Sequence, residues 1–240
     1  GVGRLVFVEG EAGIGKTTVL RAFAASVRAD APVYWGACEA MATPRPLSAL
    51  DDIAIDSAGK LAIPHDGSGE RHLLVASVRN DEGTPTRPLR AVLGDLATAG
   101  APRLAPQPLS LAAVQSLAAG TGVDATALHE QTAGNPFFVT EVLAATANAV
   151  QGVPATVQDA VLARAGRLSP SARAVLDAAA VAGPRAEAWL LRELTAAESG
   201  SIDECLATGV LRTEGAAFTF RHELARQAVL QAMTLTRTMS

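Results

Sequence analysis

This sequence of 240 residues predicts an α/β fold on a parallel sheet, followed by a helical part and then by a part that ends in a hairpin and a closing helix. Three observations predict it. Short β-branched and apolar runs alternate with amphipathic helical stretches up to Leu89. Beyond Leu89 the pattern is almost wholly helical. Near the end, two short apolar runs flank a Glu-Gly pair between helices.

Composition supports a globular chain, with 49% hydrophobic and 18% charged residues. Aromatics are only 4% and alanine is abundant, so the expected core is Ala, Leu and Val on packed helices. A net charge of −4 argues against the broad electropositive surface of non-specific nucleic-acid binding, so any DNA contact would be local. Cys38 and Cys205 have no Cys or His partner at metal-ligand spacing, and buried thiols are expected in place of a bridge or a zinc site. No apolar run approaches the ~20 residues of a membrane span, and the chain enters a strand with no signal peptide before it. A cytoplasmic protein without a membrane partner is expected. The start at Gly1, without methionine, leads to the expectation of a piece of a longer chain.

Arg4-Leu-Val-Phe-Val8 reads as a buried strand ending in a Glu-Gly turn. From Lys16 to Val27, apolar Val19, Leu20, Phe23, Ala24 and Val27 recur at helical spacing. Val33–Gly36 is a second candidate strand, Leu47–Ile55 a helix, Ser57–His72 a linker and Leu73–Val78 a third strand. Helices are expected at Leu89–Ala99, Leu111–Ala119, Asp124–Thr132 and Pro136–Val150, the sheet having ended by then. Ser169-Pro170 reads as an N-cap and first helical residue of a helix running to Ala182. Helices at Glu187–Leu194 and Ile202–Thr208, a hairpin over Val210–Phe220 and a helix at His222–Met233 follow in winged-helix order. With a boundary near Gly152-Val-Pro154, the expected domains are 1–100, 101–152 and 153–240.

The chemistry is carried by Gly10-Glu11-Ala12-Gly13-Ile14-Gly15-Lys16-Thr17-Thr18, which fits G-x-x-x-x-G-K-[ST] without a mismatch. Strand, glycine loop and helix stand in the required order. Glycines let successive N–H groups turn inward around phosphate oxygens, and the helix start adds unpaired amides and a positive dipole end. Lys16 is expected on the β- and γ-phosphates, and the Thr17 hydroxyl on Mg²⁺. The fold expectation becomes an α/β P-loop NTPase with a parallel sheet, binding ATP or ADP with magnesium.

The P-loop, Trp35-Gly-Ala-Cys-Glu39, Thr43-Pro-Arg-Pro-Leu47, Gly134-Asn-Pro-Phe-Phe138 with Glu141, and Phe220-Arg-His-Glu-Leu-Ala-Arg226 together resemble the ATPase region of large ATP-binding LuxR-family transcriptional regulators. These belong to the STAND NTPases, relatives of AAA+ proteins. Asn135-Pro136 alone reads as an N-cap and first helical residue; the resemblance implies that Pro136 lies against adenine. Arg79 ends the Leu73–Val78 strand, where α/β proteins place ligand groups, and the resemblance implies a sensor role. His222 by default is an exposed or capping histidine. By resemblance it senses the β-phosphate and holds the second domain closed. Cys38, Glu39 and Thr43 receive no chemical role.

Hydrolysis needs an apolar strand ending in Asp, to support Mg²⁺, followed by an acidic residue that polarises water. None is evident. Asp51-Asp52 lies in an amphipathic helix, Asp81-Glu82 follows the strand bearing Arg79, and the linker at 57–72 stands where the resembling family has its Walker B strand. Either the natural chain lacks that strand or this sequence omits it. The first case implies slow or absent hydrolysis, and the second leaves hydrolysis open.

The expected function is a nucleotide-operated signal-transduction switch. Its partners are the nucleotide, a second copy of the chain on ATP binding, and DNA only through a C-terminal helix-turn-helix that this chain lacks. The alternatives are a winged-helix DNA-binding module with Ile202–Thr208 as recognition helix, and a small-molecule kinase. Asp203 and Glu204, with no Lys or Arg, count against the first. The absence of an identifiable acceptor pocket or catalytic base counts against the second.

Overall fold

The computed structural model describes residues 4–37, 73–80, 91, 94–95, 98, 100–148, 152–196 and 199–238. The chain divides into two compact units, one of Gly1–Val6 with Thr17–Val75, the other of Phe7–Lys16 with Ala76–Ser240.

The strands β1 (Arg4–Gly10), β2 (Leu73–Arg79) and β3 (Arg103–Leu104) form a sheet in the order β2-β1-β3. β1 pairs with β3 in parallel, Phe7 opposite Arg103 and Val8 opposite Leu104. Phe7 and Val8 are buried, as the apolar run requires. Helix α1 (Lys16–Val27) leaves the glycine loop with the bounds that its 3.6-residue periodicity predicts.

Two readings of the first half are corrected. The sheet does not end before Leu89, because β3 joins it. Its two residues stand between Pro102 and Pro106 and read as loop; yet Pro102, which lacks an N–H, still accepts from Phe7 N at 2.9 Å. Glu9 on β1 and Arg103 on β3 approach to 3.7 Å across the pair. Val33–Gly36 is not a strand. It pairs with no strand among the described residues, and Tyr34 and Trp35 are 53% and 44% exposed. Aromatic and β-branched residues favour a pleated, half-covered surface but do not supply a hydrogen-bonding neighbour. The readings at Leu47–Ile55 and Ser57–His72, together with Cys38, Glu39, Thr43, Asp51, Asp52, Asp81 and Glu82, lie outside the described residues.

From residue 91 the described positions are mainly helical. Residues 91, 94, 95 and 98 are helical, within the span predicted for Leu89–Ala99. Then come α2 (Leu111–Ala118), α3 (Ala125–Thr132) and α4 (Pro136–Ala147), each with a side-chain cap. Ser110 accepts from Ala113 N, Asp124 from Thr126 N and Ala127 N, and Asn135 from Phe137 N. Val114, Leu128 and Val139, one from each helix, form a small core with Leu109 and Leu143 against it. α4 ends earlier than its apolar run suggests, because Asn148 turns its backbone N–H and side-chain amide onto the last-turn carbonyls.

The last part holds α5 (Ala155–Ala165), α6 (Pro170–Ala182), β4 (Arg185–Glu187), α7 (Ala188–Thr195), α8 (Ser199–Ala207), β5 (Leu211–Glu214), β6 (Ala217–Phe220) and α9 (Glu223–Thr238). Ser169 caps α6 through its hydroxyl, with Pro170 at the first turn as predicted. β5 and β6 are the expected antiparallel hairpin, turning at Gly215 with φ +63°. β4 was not foreseen; it pairs antiparallel with β6, and of its three residues only Ala186 is buried. A charged-Ala-charged triplet after Gly183-Pro184 carries no strand signal of its own. The main core gathers Val157, Val161, Val175, Leu176, Leu191 and Val229 from α5, α6, α7 and α9, small and branched aliphatics as the composition foretells. Cys205 lies fully buried in it, where burial pushes the thiol up to about 12, and donates to the Ala172 carbonyl at 2.9 Å. No helix of the described residues is long and apolar enough to cross a membrane.

Candidate functional site

The loop after β1 takes the conformation its glycines permit. Gly13 and Gly15 have φ of +83° and +93°, a region that L side chains rarely enter. Ile14 between them is buried, its N–H reaching the Glu11 carbonyl at 3.4 Å. Lys16 closes the loop from inside, its Nζ donating to the carbonyls of Gly10 at 2.6 Å and Glu11 at 2.7 Å. Asn80, just past the end of β2, donates its N–H to Gly10 O at 3.4 Å. This brings the carboxyl end of β2, which carries the exposed Arg79, to the start of the loop. Thr17 and Thr18 follow in the first turn of α1, both exposed.

A second segment fits under the loop. α3 ends at Thr132, Ala133 and Gly134 both turn left-handed, and Asn135 opens α4. Gly134 is required there, because a Cβ would stand 2.3 Å from Leu109 O. Asn135 is fully buried and uses its whole amide. Oδ1 caps Phe137 N at 3.1 Å, while Nδ2 donates to Ala12 O at 3.1 Å and to Glu11 Oε1 at 2.7 Å. Phe137 N also reaches Gly13 O at 3.2 Å. Side chains are excluded at Gly13, where a Cβ would meet Asn135 Oδ1 at 2.7 Å and Phe137 Cβ at 2.8 Å. At Gly15 the nearest atom to such a Cβ is Pro136 Cγ at 4.0 Å, so Pro136 lies beside the loop and that face of it stays open.

The third contributor is the corner between β6 and α9. His222 is buried; its Nδ1 donates to the Thr132 carbonyl at 2.9 Å, and its ring meets Phe138 edge-on with centroids 4.6 Å apart. Nε2 faces Glu11 Oε1 at 3.5 Å, and Arg221 Nη1 stands 3.3 Å from Glu11 Oε2. Burial pushes the Glu11 carboxyl up, but the hydrogen bond and charge of His222, the amide of Asn135 and the charge of Arg221 outweigh it and hold the group at about 2. Glu11 is therefore ionised at any ordinary pH.

Geometry thus brings the sequence-selected Gly10, Glu11, Ala12, Gly13, Ile14, Gly15 and Lys16 together with Pro136 and His222. It adds two residues to which sequence reasoning gave no role at the site, Asn135 beyond its cap and Arg221. Their signal was present only as membership of the quoted segments around residues 134–138 and 220–226. Among the described residues no group of three or more His, Cys, Asp or Glu could hold a metal ion. Asn80 follows β2 and Ala105-Pro106 follow β3; the Asp81-Glu82 pair after Asn80 lies outside the described residues.

No family model matches the chain. No curated protein matches it either. Among solved structures it is similar to a signal transduction ATPase with numerous domains (STAND) protein with a tetratricopeptide repeat sensor from Pyrococcus horikoshii, at 13% identity and a TM-score of 0.32. The similarity covers 96% of this chain and 40% of that one, so this chain spans well under half of its length.

Proposed function

We propose that the chain binds ATP or ADP with magnesium at Gly10–Thr17 and acts as a nucleotide-operated switch of the STAND ATPase type in a transcriptional regulator of the LuxR family. The observation that carries the binding half is the loop itself: left-handed glycines at 13 and 15, an open face at Gly15, and a lysine ammonium held at the loop's centre. Such a loop presents backbone N–H groups to anionic oxygens, and the helix start behind it adds a positive dipole end. Lys16 would grip the β- and γ-phosphates, Thr17 would bind Mg²⁺, Pro136 would wall the base and Arg79 would sense the far end of the phosphate chain. The bound nucleotide supplies a γ-phosphate whose presence or loss biases the switch.

Turnover is proposed to be slow or absent, since the sequence offers no apolar strand that ends in Asp to support the metal and is followed by an acidic residue to polarise water. The part at 153–240 is read as winged-helix-like, on its order of helices, hairpin and closing helix. DNA reading by α8 is disfavoured. It carries Asp203 and Glu204, and the Glu204 carboxylate is already engaged by the Ser169 hydroxyl and N–H at 2.6 Å each.

Titrating Mg-ATP and Mg-ADP into the full chain and into Lys16→Ala tests the binding half. The wild type is expected to bind and the variant to lose at least tenfold in affinity. Equal affinities would remove the reading.

A further inference from the structure

Glu11 touches both halves of the site. Its backbone carbonyl receives the Lys16 ammonium at 2.7 Å, and its carboxylate receives Asn135 at 2.7 Å, Arg221 at 3.3 Å and faces His222 at 3.5 Å. The motif leaves this position free, so phosphate binding alone gives no reason for a buried carboxylate here. Its side chain is only 14% exposed, and it recruits two basic residues more than two hundred positions away.

We propose that Glu11 is a positioning residue that couples the phosphate-gripping lysine to the β6–α9 corner, so that occupancy of the loop by a triphosphate loosens the hold on Arg221 and His222. This rests on the nucleotide-binding reading above. An ammonium has three N–H bonds, and Lys16 spends two on the carbonyls of Gly10 and Glu11. Gripping β- and γ-phosphate oxygens together takes at least two. At least one loop carbonyl must then give up its donor, which relaxes the backbone that aims the Glu11 carboxylate at its three partners. The carboxylate stays ionised throughout, so the corner is held by a fixed charge that belongs to the protein. Binding coupling is reciprocal: if the triphosphate weakens the Glu11 cluster, removing the cluster strengthens triphosphate binding by the same factor.

The test compares Mg-ATP affinity of the full chain in the wild type, Glu11→Gln and Glu11→Asp, with Lys16→Ala alongside. Glu11→Gln removes the charge; Glu11→Asp keeps it but shortens its reach, and serves if the first variant does not melt cooperatively. Both are expected to bind Mg-ATP about fivefold or more tighter than the wild type. In the wild type, Mg-ATP is expected to speed hydrogen exchange of the amides at Arg221–Arg226, and in Lys16→Ala it is expected to leave them unchanged. If Lys16→Ala binds as well as the wild type, or neither binds, the nucleotide reading falls and the coupling with it. If the wild type binds and Lys16→Ala does not, but the Glu11 variants bind no tighter or exchange at the corner does not rise, the coupling alone is overturned.

Discussion

Two single residues decide whether the loop and the segment under it stay together. Gly13 combines a left-handed backbone with no room for a Cβ against Asn135 and Phe137, whereas Gly120 has a similar φ of +78° and nothing within 4 Å of a Cβ. Gly13→Ala is therefore expected to destabilise the chain by about 1–3 kcal/mol, and by more than Gly120→Ala, in denaturant unfolding. Equal effects would mean that only backbone strain matters at Gly13. Glu11 sets the acid limit. Its carboxyl is lowered from 4.5 to about 2 in the folded chain, so the stabilisation is complete above pH 4.5 and is lost as pH falls from there towards 2. At about 1.4 kcal/mol per unit it amounts to at most about 3.5 kcal/mol. Glu11→Gln should be less stable than the wild type at neutral pH, and the gap should close between pH 4.5 and 2; a gap independent of pH would contradict the assignment.

Elements with their own signal were legible, and elements defined by a neighbour were not. The bounds of α1, the cap and proline of α6 and the hairpin of β5 and β6 follow from periodicity, Ser169-Pro170 and the Glu-Gly turn. β3 and β4 are two and three residues long, and each exists because a partner strand offers hydrogen bonds to a segment with no apolar alternation. Val33–Gly36 is the reverse case, a strand-like composition with no partner strand among the described residues. The cap of α6 offers a test at this scale. Ser169 accepts from Ala172 N at 3.3 Å and donates to Glu204, so Ser169→Ala loses both and is expected to destabilise the chain by about 1 kcal/mol. A neutral effect in thermal unfolding would show that water replaces both bonds.

Across the molecule, the motif announced half of the candidate site and concealed the other half. Gly10 to Thr18 was legible because phosphate chemistry demands those residue types at that spacing. The grip on Glu11 was not, since Asn135 and Arg221 stand 124 and 210 positions away and neither belongs to a spaced pattern of its own. The resemblance implies a phosphate-sensing role for His222; its protein partners are the Glu11 carboxylate and the Thr132 carbonyl, neither of which any sequence pattern announces. A nucleotide switch built this way would store its resting state in protein-to-protein contacts around one carboxylate, with the phosphate chain competing for the lysine that keeps the loop in shape.

The most direct test of that account is calorimetric titration of Mg-ATP into the full wild-type chain and into Lys16→Ala. Saturable binding at one site is expected in the wild type, and at least a tenfold loss in the variant. Indistinguishable isotherms would contradict it.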